Sequence, residues 1–205
     1  MLYGLLKIIA IPVFKVLFNL TAYGRKNLPK NTGKIVASNH KSALDIPSIG
    51  VALPGRMYMM AKKELFQRKI EGWIFRAFGA IKVDREAISL ETVRKAREVV
   101  EKGHSLLIFP EGTRVQGADI GEGKKGAVFL SCSAHVPIIP TGVSDTFYLS
   151  KHRVLGLFPH VVVVFGEPFY PWLVFNSGDK DFLEKATVYL MEEIRKCLKE
   201  AVEKS

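Results

Sequence analysis

Cysteine is scarce in this chain of 205 residues: only Cys132 and Cys197 occur. Both stand in helix-like contexts, so neither a disulfide framework nor a cysteine-based zinc site is expected, and a reducing compartment is. The five histidines show no metal-ligand spacing with them, and no metal is expected. Internal repeats and low-complexity tracts are missing, which sets aside solenoids and disordered linkers. The G-x-S-x-G elbow of serine hydrolases appears nowhere, so Ser42 is a poor candidate for a covalent nucleophile. Cys132, in "VFLSCSAH", is no better and reads as a small core residue. Helix-turn-helix, zinc-finger and aromatic RNA-binding signatures are lacking too, so nucleic acid is not an expected partner. Acidic residues are outnumbered, 20 against 30 Lys and Arg, for a net charge of +10. That balance suits an anionic membrane surface or a phosphorylated substrate.

What is present is apolar: 48% of the residues are hydrophobic, enough for one α/β domain with a sizeable core. The mean hydropathy, +0.13, is high for a freely soluble enzyme and low for a multi-span membrane protein. Residues 1–22, "MLYGLLKIIAIPVFKVLFNLTA", are nearly all apolar, and no small-residue cleavage site follows them. From residue 34 onward short apolar runs alternate with helical patterns. "KIVAS", "MYMMA", "AIKV", "SLLIF", "VPIIPTGV" and "HVVVVFG" read as strands. Ile46–Leu53, Lys69–Phe78, Ser89–Lys102 (stopped by Gly103), Lys125–Ala134 and a closing Asp181–Val202 read as helices. This alternation predicts an α/β fold with a largely parallel or mixed central sheet and helices on both faces. It divides into residues 1–30, an N-terminal helix with a basic linker, and a catalytic domain, 31–205.

In such sheets ligands sit where strands end. The two most polar strand ends are "NHKSALD" (39–45) and "FPEGTR" (109–114). An imidazole at a strand end, His40, suits proton transfer near neutrality, and a carboxylate beside it would hold its tautomer. Asp45 follows five positions later. On a continuous helix such residues diverge by about 140°, so the pair needs a turn between them. Alternatively, Asp45 is only the cap of a helix that has Pro47 in its first turn. In "FPEGTR" a carboxylate, a hydroxyl and a guanidinium crowd one turn, and Gly112 permits a backbone conformation closed to other residues. Arg114 can grip a phosphate through paired hydrogen bonds. Glu111 could orient that arginine or hold a substrate hydroxyl. Glu111 and Arg114 could equally be a local ion pair closing the loop.

Together the two stretches resemble the signature blocks of the glycerolipid acyltransferase family, closest to its 1-acyl-glycerol-3-phosphate acyltransferases. "GAIKVDR" (79–85) and "VPIIP" (136–140), the latter preceded by "KKGA" (124–127), fall in the family's order. Lys82 stands where that family often has an aromatic or large aliphatic residue. The resemblance covers roughly residues 34–143. It implies that an acyl group passes from an acyl thioester, acyl-CoA or acyl-carrier protein, to the free hydroxyl of 1-acyl-glycerol 3-phosphate, giving phosphatidic acid. Glycerol 3-phosphate or another lysolipid as acceptor, or thioester hydrolysis, remain alternatives. It implies His40 as general base supported by Asp45, no covalent intermediate and no cofactor. Arg85, Glu111, Gly112, Thr113 and Arg114 would surround the substrate and its phosphate. Lys124 and Lys125 touch phosphate or are simply solvated; Lys125 is carried with the substrate-binding set. The acyl chain needs a dry space, expected around Met57–Met60 or Trp73–Phe78.

The N-terminal segment has about the length of a span. Lys7 and Lys15 lie inside it, each costing up to ~3 kcal/mol at the bilayer centre, and Pro12 sits between them. On a helical wheel Gly4, Lys7, Lys15 and Asn19 share one side, with Leu5, Ile9, Val13, Val16 and Leu20 on the other. This pattern predicts an amphipathic helix in the membrane interface, lysines toward the headgroups. Arg25, Lys26 and Lys30 would add attraction to anionic lipid. A helix buried on the domain and a true span are the alternatives. The expectation is a monotopic or peripheral protein on the cytoplasmic face of the cell membrane.

Overall fold

The computed structural model of the chain describes residues 2–67, 79–83, 89–115, 119–144 and 160–205. Helix α1 is Leu2–Leu17, α2 Asp45–Ala52, α3 Leu90–Glu101, α4 Gly126–Ala134, α5 Pro171–Val174 and α6 Phe182–Glu203. Strands are β1 Thr21–Tyr23, β2 Lys34–Ser38, β3 Met57–Lys62, β4 Ala80–Val83, β5 Ser105–Ile108, β6 Ile138–Val143 and β7 Val162–Phe165. The expected helix Lys69–Phe78 lies outside the described residues.

The strands form one sheet in the order β1-β7-β6-β2-β5-β3-β4. Neighbours run parallel except β6 and β7, which are antiparallel. Alternation decides which side chains face which layer. Ile35 and Leu106 point toward α3, α4 and α6, joining Val100, Leu130 and Leu190 in one buried cluster. Val36 and Leu107 point the other way and pack with Ile49 and Leu53 beneath α2 and α1. Both faces are therefore covered, as the apolar runs require. Helix α3 starts where its sequence signal lies: Ser89 Oγ accepts from the Thr92 N–H at 3.2 Å, and Gly103 follows with φ 80°. Helix α6 lies so close to β6 that a Cβ on Gly142 would stand 2.2 Å from the Cys197 carbonyl carbon, so only glycine fits there.

Topology fixes where a site can form. From β2 the chain crosses over α2 to β3, in one direction along the sheet; from β5 it crosses over α4 to β6, in the other. Right-handed crossovers in opposite directions place their helices on opposite faces. They leave a crevice at the carboxyl ends of β2 and β5, the strand pair between them. These two strands pair in parallel, with Ala37 opposite Ile108. The two polar blocks, far apart in sequence, therefore leave the sheet side by side.

The N-terminal segment departs from expectation in two ways. Its helix stops at Leu17, and Thr21 and Ala22, expected inside it, belong instead to an edge strand, Thr21–Tyr23, paired with β7. Lys7 does not share a solvent-facing side with Lys15. Its Nζ donates to the carbonyl oxygens of Leu53 and, at 2.8 Å, Gly55, past the end of α2. Arg25 Nε donates to the Ala52 carbonyl at 2.9 Å, so two cations meet the negative end of that helix. Burial lowers the Lys7 ammonium to about 8. Ile11, Phe14 and Phe18 pack on the core, and the Tyr3 hydroxyl accepts from the Met57 N–H at 3.0 Å. The outward face is then apolar: Ile8 is 68% exposed and Val16 70%, with Leu5, Ile9, Val13 and Leu17 also exposed. Among the described residues no helix is long and apolar enough to cross a membrane.

Candidate active site

Strand β2 ends at Ser38, and the next residues turn into the crevice. Asn39 continues the sheet with its side chain: Nδ2 donates to the Val143 carbonyl at 3.1 Å and Oδ1 accepts from the Val143 N–H at 2.9 Å. This fastens the end of β2 to β6 and sets the direction in which His40 leaves. The turn that the sequence required follows. Asp45 is the first residue of α2, not its cap, which is Leu44. Its Oδ2 accepts from His40 Nδ1 at 2.9 Å, from the Lys41 N–H at 2.7 Å and from the Ser42 N–H at 2.8 Å. The carboxylate is wholly buried and the loop wraps around it. With Nδ1 carrying the proton that Asp45 accepts, His40 Nε2 is the ring's basic nitrogen.

The second block holds the same histidine from the other strand. Phe109, just past β5, stacks on the imidazole with ring centroids 3.8 Å apart and planes 13° from parallel. Glu111 is buried, and its two oxygens are divided between the loops. Oε1 accepts from the His40 N–H at 2.9 Å, and Oε2 accepts from the Gly121 N–H at 3.1 Å. The Val115 N–H donates to the His40 carbonyl at 2.9 Å. The His40 backbone is thus bonded on both sides, by Glu111 of the second block and by Val115 just past it. Burial pushes the Glu111 carboxyl up, and the two backbone donors act against that rise. In this arrangement Glu111 ties the blocks together, and its carboxylate forms no ion pair with Arg114 among the described residues.

Gly112 adopts φ 72°, a left-handed turn that glycine takes without strain. A Cβ there would also stand 3.0 Å from Lys124 Nζ, so the Lys124 side chain lies across the glycine. Thr113 and Arg114 are exposed, and Arg114 faces an apolar space between α1 and α2. Lys125 turns away and pairs with Glu184 of α6 at 3.2 Å, both largely exposed. Arg85 lies outside the described residues. Beside the Phe109–His40 stack opens a cavity of about 420 Å³, lined by Met60, Ala96, Ile108, Phe109, Ala127 and Leu130, with Lys124 and Gly112 also on its wall. Met60 falls in the stretch expected to line a dry space; Trp73–Phe78 lies outside the described residues.

Sequence reasoning picked out His40 and Asp45 but missed four contributors. Phe109 was inside a quoted block without a role. Asn39 showed only as a polar residue ending an apolar run. The amides of Lys41 and Ser42 carry no side-chain signal at all.

The acyltransferase family model matches residues 19–144, which contain both blocks and the crevice between them. The chain belongs to the acyltransferase family. This acyltransferase is 29% identical over 174 residues to the 1-acyl-sn-glycerol-3-phosphate acyltransferase of Bacillus subtilis, covering 84% of this chain and 85% of that protein. It is 34% identical over 136 residues to the human 1-acyl-sn-glycerol-3-phosphate acyltransferase alpha, covering 63% of this chain and 48% of that longer protein. Among solved structures it resembles the 1-acyl-sn-glycerophosphate acyltransferase PlsC of Thermotoga maritima. The TM-score is 0.76 at 25% identity, over 97% of this chain and 78% of the other. The α/β architecture with a mostly parallel, mixed sheet is shared with that structure.

Proposed function

We propose that this acyltransferase moves a fatty acyl group from an acyl thioester to the free hydroxyl of 1-acyl-glycerol 3-phosphate, giving phosphatidic acid in phospholipid biosynthesis. The observation that carries the reading is the buried His40–Asp45 hydrogen bond at 2.9 Å, set at the crevice between the two blocks. The names of the relatives supply the acceptor class. In the reaction His40 Nε2 takes the proton of the acceptor hydroxyl. Asp45 holds the ring by Nδ1–H and stabilises the imidazolium as it forms. The acceptor oxygen attacks the thioester carbonyl, the carbon–sulfur bond breaks, and the proton on His40 passes to the leaving thiolate. Each group is back in its starting state, and no side chain is acylated.

Arg114, together with Arg85, would hold the phosphomonoester, and the cavity under Phe109 would house the donor's acyl chain. Its volume of about 420 Å³ falls in the range of sites that enclose a small-molecule ligand, roughly 300–1,000 Å³. The donor is acyl-CoA or acyl-carrier protein; both are acidic and suit a chain of net charge +10. The apolar outward face of α1 would lie in the membrane interface, making the protein monotopic on the cytoplasmic face, where lipid-borne acceptor and product reside. The test is an assay of the purified protein with each donor. The acceptors are lysophosphatidic acid, glycerol 3-phosphate or none, and products are read by mass spectrometry. Phosphatidic acid is expected. Transfer only to glycerol 3-phosphate, or thioester loss at the same rate without acceptor, overturns the reading.

A further inference from the structure

Two apolar cavities, on opposite faces of the sheet, are lined by neighbours of the His40–Asp45 pair: Phe109 on one side, Ala43 and Ile46 on the other. The larger one sits against α3 and α4 and ends at Phe109 and Pro110. The second, of about 240 Å³, lies between α1, α2 and β3 and is lined by Tyr3, Ala10, Ile46, Met57 and Met59, and by Lys7, whose ammonium is held by the Leu53 and Gly55 carbonyls. Strand β3 serves both, because successive side chains alternate across the sheet: Met57 and Met59 face the second cavity and Met60 the first. His40 stands between them. It is hydrogen-bonded to Asp45 at the start of α2 and stacked on Phe109 at the edge of the larger cavity. Each cavity also has one exposed cation of the signature region on its wall, Arg114 for the smaller and Lys124 for the larger. Among the described residues neither makes an ion pair.

We infer that the α1–α2 cavity binds the acyl chain of the phosphate-bearing acceptor, while the α3–α4 cavity takes the chain of the donor. The inference rests on the proposed acyl transfer to a lysophospholipid. In such an acceptor one glycerol carries both phosphate and chain, so among the described residues the chain belongs with the cavity bordered by an arginine proposed to hold the phosphate. That is the cavity with Arg114. Its size supports the same assignment. At about 240 Å³ it is smaller than a site that encloses a whole ligand, roughly 300–1,000 Å³. An acceptor need not be enclosed, because α1 forms one wall and turns an apolar face outward, along which the rest of the chain can run into lipid. A chain leaving a water-soluble thioester has no such continuation and needs the larger space.

Filling one cavity at a time separates the two roles. Ala10→Leu and Ala10→Phe place carbon in the α1–α2 cavity from the inward side of α1; Ala96→Leu does so in the other. Acyl transfer is followed in detergent micelles, so vesicle binding does not enter. Acceptor chain length is varied at fixed donor, and donor chain length at fixed acceptor. Melting curves establish folding, and the Leu variant carries the test if Phe does not fold. Shutting out about two methylenes predicts a rise of roughly tenfold in KM for long-chain lysophosphatidic acid, with a short-chain acceptor and the donor profile unchanged. Ala96→Leu should shift only the donor profile. An active wild type whose folded Ala10 variants leave acceptor preference unmoved, or shift the donor profile instead, overturns the inference alone. A wild type that transfers to no lysophosphatidic acid overturns the functional reading and this inference with it.

Discussion

Replacing Asp45 by Asn removes one charge and almost no shape. Three donors converge on Oδ2: His40 Nδ1 and the amides of Lys41 and Ser42. In the variant the amide oxygen can take that position and accept from all three. Turning the amide over would set its NH2 against two fixed backbone donors, so the oxygen stays and the histidine tautomer with it. What is lost is the attraction between carboxylate and the imidazolium that forms in the transition state. At a charge separation near 4 Å and an effective dielectric of about 20 this is at most ~4 kcal/mol, and about half that if water screens the ring; the range corresponds to roughly 30- to 1,000-fold in kcat. Acceptor KM should hardly move, because Asp45 is buried behind the histidine. Steady-state kinetics on the purified variant, with its melting curve as control, is the assay. A folded Asp45→Asn protein with kcat within about threefold of wild type would refute the reasoning, since charge on Asp45 would then play no part in turnover.

Other outcomes follow from the same geometry. Arg114→Lys replaces a planar fork by a point charge, so acceptor KM should rise, and rise less for an acceptor without phosphate; equal losses for both would make Arg114 structural. Ile8→Glu with Val16→Glu changes only exposed positions on α1. The variant should fold normally yet fail to sediment with anionic vesicles, and undiminished binding would exclude α1 as the anchor. Burial holds the Glu111 carboxyl above its ordinary value, so between those two values the folded protein binds more protons than the unfolded chain. Stability from this group should therefore fall as pH rises through that window, whereas Glu111→Gln lacks the effect. Denaturation curves against pH showing wild type gaining on the variant across the window would contradict the assignment. The same variant turns an amide NH2 toward either the His40 or the Gly121 N–H and should lose about 1–3 kcal/mol.

Much of the layer structure was legible in the sequence. "KIVAS", "SLLIF" and "HVVVVFG" are apolar runs of strand length, and they became buried strands of a parallel-rich sheet. Ser89 and Gly103 bracketed α3 because capping and helix stopping are local events. Edge strand β1 was not legible: a three-residue strand that begins at the end of an apolar segment carries no signal, and its state depends on finding β7 as a parallel partner. Lys7 was misplaced for a related reason. A helical wheel gives the angle between residues but not which side the domain occupies, and the free carbonyls after α2 drew the lysine inward.

The candidate site divides along the same line. The sequence by itself determined which chemical groups are available, because His40, Asp45, Glu111 and Arg114 stand in two short blocks whose types and order are local properties of the chain. Whether His40 and Asp45 meet was open, since five positions along a helix would separate them by about 140°. Tertiary structure decided it, by turning the chain at Lys41 and Ser42 and offering both amides to the same oxygen as the imidazole. It also decided that Glu111 serves the His40 backbone, and that Lys124 lies across Gly112 while Lys125 pairs with α6. Those contacts join residues brought together only by pairing β2 with β5 and by packing helices on both faces. Pairing of that range is settled by burial of the whole sheet, which no window of sequence contains.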